Sequence, residues 1–170
     1  MTLPRREPAR STSFAATAEE HLDDVYAYLV YMTRDRSLAE DLTADTFEKA
    51  LKAWRRFDAS RSSARTWLCQ IARTTALDWF RAEERRRRRE ERTAVLERFE
   101  EGGLSPGLSP ELEAALRELS AAEREVIALR VLLELDGDEA AHVLGISPTA
   151  VSTRLSRALK KLEQKVTVHV

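Results

Sequence analysis

One stretch constrains the fold more than any other. The run Asp136-Gly-Asp-Glu-Ala-Ala-His-Val-Leu-Gly-Ile-Ser-Pro-Thr-Ala-Val-Ser-Thr-Arg-Leu-Ser-Arg-Ala158 reads as two short helices joined by a tight turn. Asp136 can cap the first helix, and Glu139 three residues on completes a capping box. Ala141 is small enough for two helices to cross closely, and Gly145 supplies the permissive backbone of the turn. Ser147 caps the second helix and Pro148 takes its first position, where a missing N–H costs nothing. Val151 and Leu155, four apart, bury one face and leave Ser152, Thr153, Arg154, Ser156 and Arg157 on the other. Short polar groups with Arg are what a recognition helix presents to base edges and phosphates. An ordinary helical hairpin can carry the same small–turn–polar pattern.

The rest of the chain suits the same architecture. It is rich in Ala, Leu, Arg and Glu and poor in Gly, a balance that favours an all-α protein. Its 170 residues suffice for one ordinary domain or two small ones. No apolar run approaches the roughly 20 residues of a bilayer span. The opening MTLPRREPARSTS is polar and basic and lacks the apolar centre of a signal peptide. The single cysteine, Cys69, excludes an intramolecular disulfide and fits a reducing compartment. Flanked by Leu68 and Ile71, it reads as a small buried hydrophobe, with a reactive thiol as the alternative. A cytoplasmic protein with no membrane insertion of its own is expected. His21, His142 and His169 are scattered, and there is no metal-ligand spacing, phosphate-cradling glycine loop or nucleophile motif. No catalytic residue, metal or cofactor is therefore expected, and the chain does not read as an enzyme.

A formal net charge of −1 hides a segregated pattern. Between Arg81 and Arg92 seven Arg face four Glu, and between Ser152 and Lys165 Arg154, Arg157, Lys160, Lys161 and Lys165 face Glu163 alone. An acidic connector lies between them, including Glu97, Glu100, Glu101, Glu111, Glu113, Glu118, Glu123 and Glu125. Two basic patches flanking acid suit phosphate contacts at two places. For Arg85–Arg89 a solvated Arg/Glu helix face is an equal reading.

Periodicity divides the chain into two helical units. Residues 1–13 have little to bury and are expected to be disordered. The first unit, 14–92, opens with a helix whose buried face is Leu22, Val25, Tyr26, Leu29, Val30 and Met32. A break at Thr33–Ser37 follows. Leu38, Leu42, Phe47, Leu51 and Trp54 then form a second stripe that leaves Asp41, Asp45, Glu48, Lys49 and Lys52 outward. Asp58–Ser63 is a loop by composition. A third helix opens near Ala64 and can run on into the arginine block. The glycines and prolines of 93–110 mark a flexible linker. In the second unit, 111–170, Ser120 and Glu123 form another capping box ahead of the apolar Val126, Ile127, Leu129, Val131, Leu132 and Leu133. The helix-turn-helix follows.

The order of these parts resembles the bacterial RNA polymerase sigma factors of the extracytoplasmic-function group. Ala39-Glu-Asp-Leu-Thr-Ala-Asp-Thr-Phe47 is similar to the family's AED…(E/D)TF segment, and Arg65-Thr-Trp-Leu-Cys-Gln-Ile-Ala-Arg73 to its RTWL…IAR segment. Leu119-Ser-Ala-Ala-Glu-Arg-Glu-Val126 is similar to its LP..(E/R)REV opening, and Val151-Ser-Thr-Arg-Leu-Ser-Arg-Ala-Leu159 to its TV..RL.RAL recognition helix. The likeness runs from His21 to Leu162. It implies a first unit (sigma region 2) that docks on the clamp helices of the largest polymerase subunit and captures the unpaired promoter −10 strand. The second unit (sigma region 4) would place its recognition helix in the −35 major groove and meet the polymerase flap, and the acidic linker would run toward the RNA exit path. A dedicated anti-sigma factor would hold the two units together.

Residue by residue, the resemblance puts Asp41, Asp45, Phe47 and Glu48 on the polymerase. The acids present a face suited to a basic helix, and Phe47 serves either as an anchor or as core. Arg65, Trp67, Arg73, Thr74 and Arg81 would serve the −10 strand, since Arg beside aromatic rings suits single-stranded DNA, while Trp67 equally reads as core. The loop Asp58–Ser63 would help hold an extruded base. Ser152, Thr153 and Ser156 fall at base-reading positions, and Arg154, Arg157, Lys160 and Lys161 at phosphates. Thr74 stands where many members have Asn, Ala140 where Ile is usual, and Ala150 where Thr is usual. A stand-alone repressor with a similar helix-turn-helix would explain the C-terminal half alone, and a sigma mimic that sequesters an anti-sigma would not need the basic recognition helix.

Overall fold

The computed structural model describes residues 13–90 and 110–167, and all regular elements among them are helical. The first unit is a set of three mutually packed helices, α1 (Phe14–Thr33), α2 (Arg36–Ala53) and α3 (Ala64–Glu90), with a 3₁₀ turn at Trp54–Arg56. Ser13, at the edge of the expected N-terminal tail, caps α1 by accepting from Ala16 N at 3.2 Å. Arg34 adopts a left-handed conformation (φ 59°), and its N–H closes the helix onto the Val30 carbonyl at 2.8 Å. Asp35 at once caps α2 through Leu38 N at 3.0 Å. The expected five-residue break at Thr33–Ser37 is therefore only two residues long.

The buried face of α2 is less apolar than its sequence stripe suggested. Thr43 and Thr46 are buried because their hydroxyls donate to the carbonyls of Ala39 and Leu42, at 2.7 and 2.6 Å, which satisfies groups that would otherwise be costly to bury. Leu51, expected in the stripe, is 58% exposed. The helix turns its Thr46–Ala50 side inward, so Leu51 falls outside. Helix α3 does run on through the arginine block. There Arg86 pairs with Glu83, and Arg87 and Arg88 with Glu84, one turn apart.

The second unit comprises α4 (Pro110–Arg117), α5 (Ala121–Ile127), a π-helical turn (Ala128–Leu132), α6 (Gly137–Leu144) and α7 (Pro148–Thr167). The expected linker 93–110 lies outside the described residues except for Pro110, which opens α4. Both anticipated capping boxes form: Ser120 with Glu123, and Asp136 with Glu139. The apolar run after α5 does not continue as one α-helix. Leu133 N reaches back five residues to the Ala128 carbonyl at 2.9 Å, and this wider turn rotates Val131 and Leu132 into solvent. The Arg130 guanidinium donates to the Leu135 carbonyl and closes the loop, in which Glu134 has φ 52°.

The two units, which the sequence suggested as separate bodies, share one core. Val25, Tyr28, Leu29, Leu68 and Ala72 of the first unit join Val126, Ala128, Leu129, Leu133 and Ala140 of the second in a continuous cluster. Helix α1 lies against α5 and the π turn, and α3 against α6. Each fully buried aliphatic side chain contributes about 1.5–3 kcal/mol relative to exposure. A smaller cluster of Leu116, Leu119, Ile127 and Ala158 ties α4, α5 and α7 together.

Candidate nucleic-acid and polymerase interfaces

The helix-turn-helix is built as its local signals require. Asp136 accepts from the N–H groups of Asp138 and Glu139, and Glu139 Oε2 accepts from Asp136 N at 3.0 Å. At the turn Gly145 has φ 66°, and its N–H closes onto the Ala141 carbonyl. Ser147 Oγ accepts from Ala150 N at 3.2 Å and starts α7 at Pro148. Val151 and Ala158 are fully buried, while Ser152, Thr153, Ser156, Arg157 and Lys160 are exposed and Arg154 is half-buried. The Ser152 hydroxyl donates to the Pro148 carbonyl at 3.1 Å. Lys161 is exposed but paired: its Nζ lies 2.6 Å from Glu123 Oε1 on α5. That lysine, with the Ser120 N–H, holds the Glu123 carboxyl down at about 2. The face is thus a stripe of hydroxyls bordered by cations, able to contact base edges and phosphates together.

On α2, Asp41 and Asp45 are exposed and carry no ion pair among the described residues. Glu48 is ion-paired with Lys52, which lowers its pKa. Phe47 is half-buried against the core, so the acidic face surrounds a ring already committed to packing.

The five α3 residues assigned to the −10 strand have different surroundings. Trp67 packs with Trp54 and Phe57, ring centres 5.9 and 5.0 Å away. Arg65 pairs with Asp24 at 2.8 Å. Thr74 is exposed and lines a cleft of about 260 Å³ with Lys49, Gln70, Ile71 and Thr75, where Lys49 Nζ donates to Thr75 Oγ1 at 3.1 Å. Arg81 is exposed beside Asp78. Arg73 points the other way, into the junction between the units, where its Nε donates to Glu125 Oε1 at 2.6 Å. The buried Tyr28 hydroxyl donates to the same oxygen at 3.0 Å. Burial and the adjacent carboxylate raise the phenol's pKa well above its usual range. Charge patterning placed Glu123 and Glu125 in an acidic connector. Both are instead buried residues of α5, because each carboxylate has a cation and a hydroxyl or amide to meet it.

Two more junction contacts were missed by sequence reasoning. Glu139 Oε1 accepts from Ser63 Oγ at 3.1 Å and Thr66 Oγ1 at 2.9 Å, at the first turn of α3. Arg34 donates to the carbonyls of Leu116 and Arg117, at 3.3 and 3.2 Å, capping the C-terminus of α4. Glu139 and Arg34 carry local signals that the capping box and the helix end explain in full, so nothing in the sequence marks their second role. Beside this junction an apolar groove of about 570 Å³ opens between the units, lined by Tyr26, Val30, Leu112, Val131, Leu132 and Leu159 among others.

Comparison with known proteins covers both units. The Sigma-70 region 2 family model matches residues 17–86, and the Sigma-70 region 4 model matches residues 109–162. The chain is 31% identical over 166 residues to the ECF RNA polymerase sigma factor SigX of Bacillus subtilis, covering 89% of this chain and 82% of that one. It is 32% identical over 151 residues to SigM of the same organism, covering 84% and 88%. Among solved structures, the sigma factor RpoE of Bartonella quintana, in complex with the anti-sigma factor NepR, superposes with a TM-score of 0.72 at 26% identity, over 91% of this chain and 97% of that one. With both promoter-binding regions in order and relatives matched over most of their length, the chain belongs to the ECF sigma factors, the non-enzymatic subunits that direct RNA polymerase to promoters.

Proposed function

We propose a division of labour among the residues of this sigma factor. Asp41, Asp45 and Glu48 on α2 dock the polymerase clamp helices, with Phe47 holding that face in place from beneath. The exposed stripe Ser152, Thr153 and Ser156 reads the −35 element, while Arg154, Arg157 and Lys160 grip its phosphates. Lys161 contributes through Glu123, by fixing α7 on α5. Thr74 and the cleft it shares with Lys49 and Gln70 receive the unpaired −10 strand, with Arg65, Arg73 and Arg81 supplying charge along α3 and Trp67 supporting the 58–63 loop. Residues 14–92 and 111–170 act as the two promoter-binding domains.

An anti-sigma factor spans both domains, and the apolar groove between α1 and α4/α7 gives it a surface that belongs to neither domain alone. Among the described residues no helix is long and apolar enough to cross a membrane. Work on RNA polymerase puts the protein in the cytoplasm.

The observation that carries this reading is the α7 face. Its Val151 and Ala158 are buried in the core, while Ser152, Thr153, Ser156, Arg157 and Lys160 are open to solvent on the other side. Run-off transcription with bacterial core polymerase on a pool of genomic promoters tests it. New start sites are expected only with the protein present, and are expected to vanish in R154A/R157A. Start sites that persist unchanged in that variant would refute the assignment of α7.

A further inference from the structure

Two guanidiniums, Arg34 at the end of α1 and Arg124 on α5, converge on the turn between α4 and α5. Arg34 Nη2 donates to the carbonyls of Leu116 and Arg117, and Arg124 Nη1 donates to the carbonyl of Leu119. Neither has a carboxylate partner among the described residues. The acids beside Arg124 are engaged elsewhere, Glu123 with Lys161 and Glu125 with Arg73. Tyr31, three residues before Arg34, ends in a buried hydroxyl with no hydrogen-bond partner, and Arg34 Nε is buried and unpartnered as well. Burial raises the Tyr31 phenol to about 12, although the charges of Arg124 and Arg34 pull it down. Burial and the charge of Arg34 lower the Arg124 pKa. The three groups thus act on one another with no counter-charge among them.

A buried donor without an acceptor is costly, and so is a desolvated charge without a partner. One anion removes both costs. A carboxylate would balance one of the two guanidinium charges, whereas a dianion balances both. Its several oxygens can also accept from two guanidiniums and a phenol together.

We propose that Tyr31, Arg34 and Arg124 form a binding site for one phosphate dianion, either inorganic or carried by a small ester. The site lies away from the faces of α2, α3 and α7 read above as polymerase and promoter contacts, and it does not depend on that reading. The Tyr31 ring also lines the apolar groove, as does the exposed Arg36. An ester would therefore find an apolar surface for its body next to its phosphate.

The test titrates inorganic phosphate into the full chain at alkaline pH, with ionic strength held constant by chloride. Calorimetry and phosphorus NMR linewidths follow uptake. One saturable equivalent is expected, with a Kd of about 1 mM or tighter. Y31F keeps the ring and deletes a hydroxyl that bonds to nothing in the protein. It should melt no lower than wild type in phosphate-free buffer, yet bind phosphate about five- to tenfold more weakly. R124Q removes one of the two charges and should weaken binding by about tenfold or more. If R124Q does not fold, Y31F alone decides.

No saturable uptake by wild type would overturn the proposal, as would uptake that neither variant weakens. Acetate bound as tightly as phosphate would overturn the assignment to a dianion. Phenyl phosphate separates the two sources, and either result supports the site. Tighter binding than inorganic phosphate assigns an ester with its body in the groove, and equal or weaker binding assigns the free ion.

Discussion

Lys161 on α7 lies 2.6 Å from Glu123 on α5, an ion pair that ties the C-terminal half of α7 to α5. Glu123 in turn accepts from Ser120 N at 2.9 Å. Its carboxyl is held down at about 2 against an ordinary 4.5. A carboxyl depressed in the folded state stabilises the fold fully above its unfolded pKa, and the gain is lost as pH falls through the folded value. The stabilisation should therefore persist above about pH 4.5 and fade between there and about pH 2. Thermal unfolding of wild type and E123Q across pH should show a gap in Tm at neutral pH that closes in that window. A gap that is constant down to pH 2 would show that the pair contributes nothing through charge.

The same contact separates Lys161 from its neighbours in DNA binding. Arg154, Arg157 and Lys160 form no ion pair among the described residues, so their charge is available to phosphate. Replacing Arg154 or Arg157 by Ala should lower the slope of log affinity against log salt by about one each on a −35 duplex. K161A should change the slope less and lower stability more. Fluorescence anisotropy over a salt series, alongside thermal melts, distinguishes the two behaviours.

Reversing one exposed acid on α2 should act on partner binding alone. Asp45 is solvent-exposed and makes no side-chain hydrogen bond or ion pair among the described residues. D45R should leave stability within about 0.5 kcal/mol and weaken core polymerase binding at least tenfold, as measured by co-elution or interferometry. Binding equal to wild type would move the polymerase contact elsewhere.

Gly145 permits a clean backbone test. It sits at φ 66° with open space where a Cβ would go, so G145A meets no clash and reports only the left-handed penalty. About 1 kcal/mol, or a drop of about 2–4 °C in Tm, is expected. No loss would mean that the turn relaxes to another conformation.

Cys69 should behave as core. It is fully buried in α3, and that burial pushes its thiol up to about 12. Thiol reagents at pH 8 should modify the native chain far more slowly than the denatured chain. Equal rates would mean that α3 is open to solvent at Cys69.

Much of this was legible in the chain because it is local. The caps Asp136, Ser147 and Ser120, the glycine at the turn and the Val151/Leu155 spacing act within one or two helical turns, where sequence distance is spatial distance. They determined the helices, the helix-turn-helix and the polar face of α7, and the ordered motifs pointed to the family that the relatives then showed. The errors arose where a local rule met a distant partner. Leu51 is apolar yet exposed, and Thr43 and Thr46 are polar yet buried, because helix rotation and i−4 hydroxyl bonds decide the inward face. Glu125 looked like part of a solvated acidic run until Tyr28, 97 positions away, and Arg73, 52 away, closed around it. Sequence alone thus determined the two helical units and their surface chemistry. Only the tertiary structure decided that the units share a core and that Arg73 faces a carboxylate, because those contacts depend on which surfaces meet when segments far apart in the chain bury their apolar faces together.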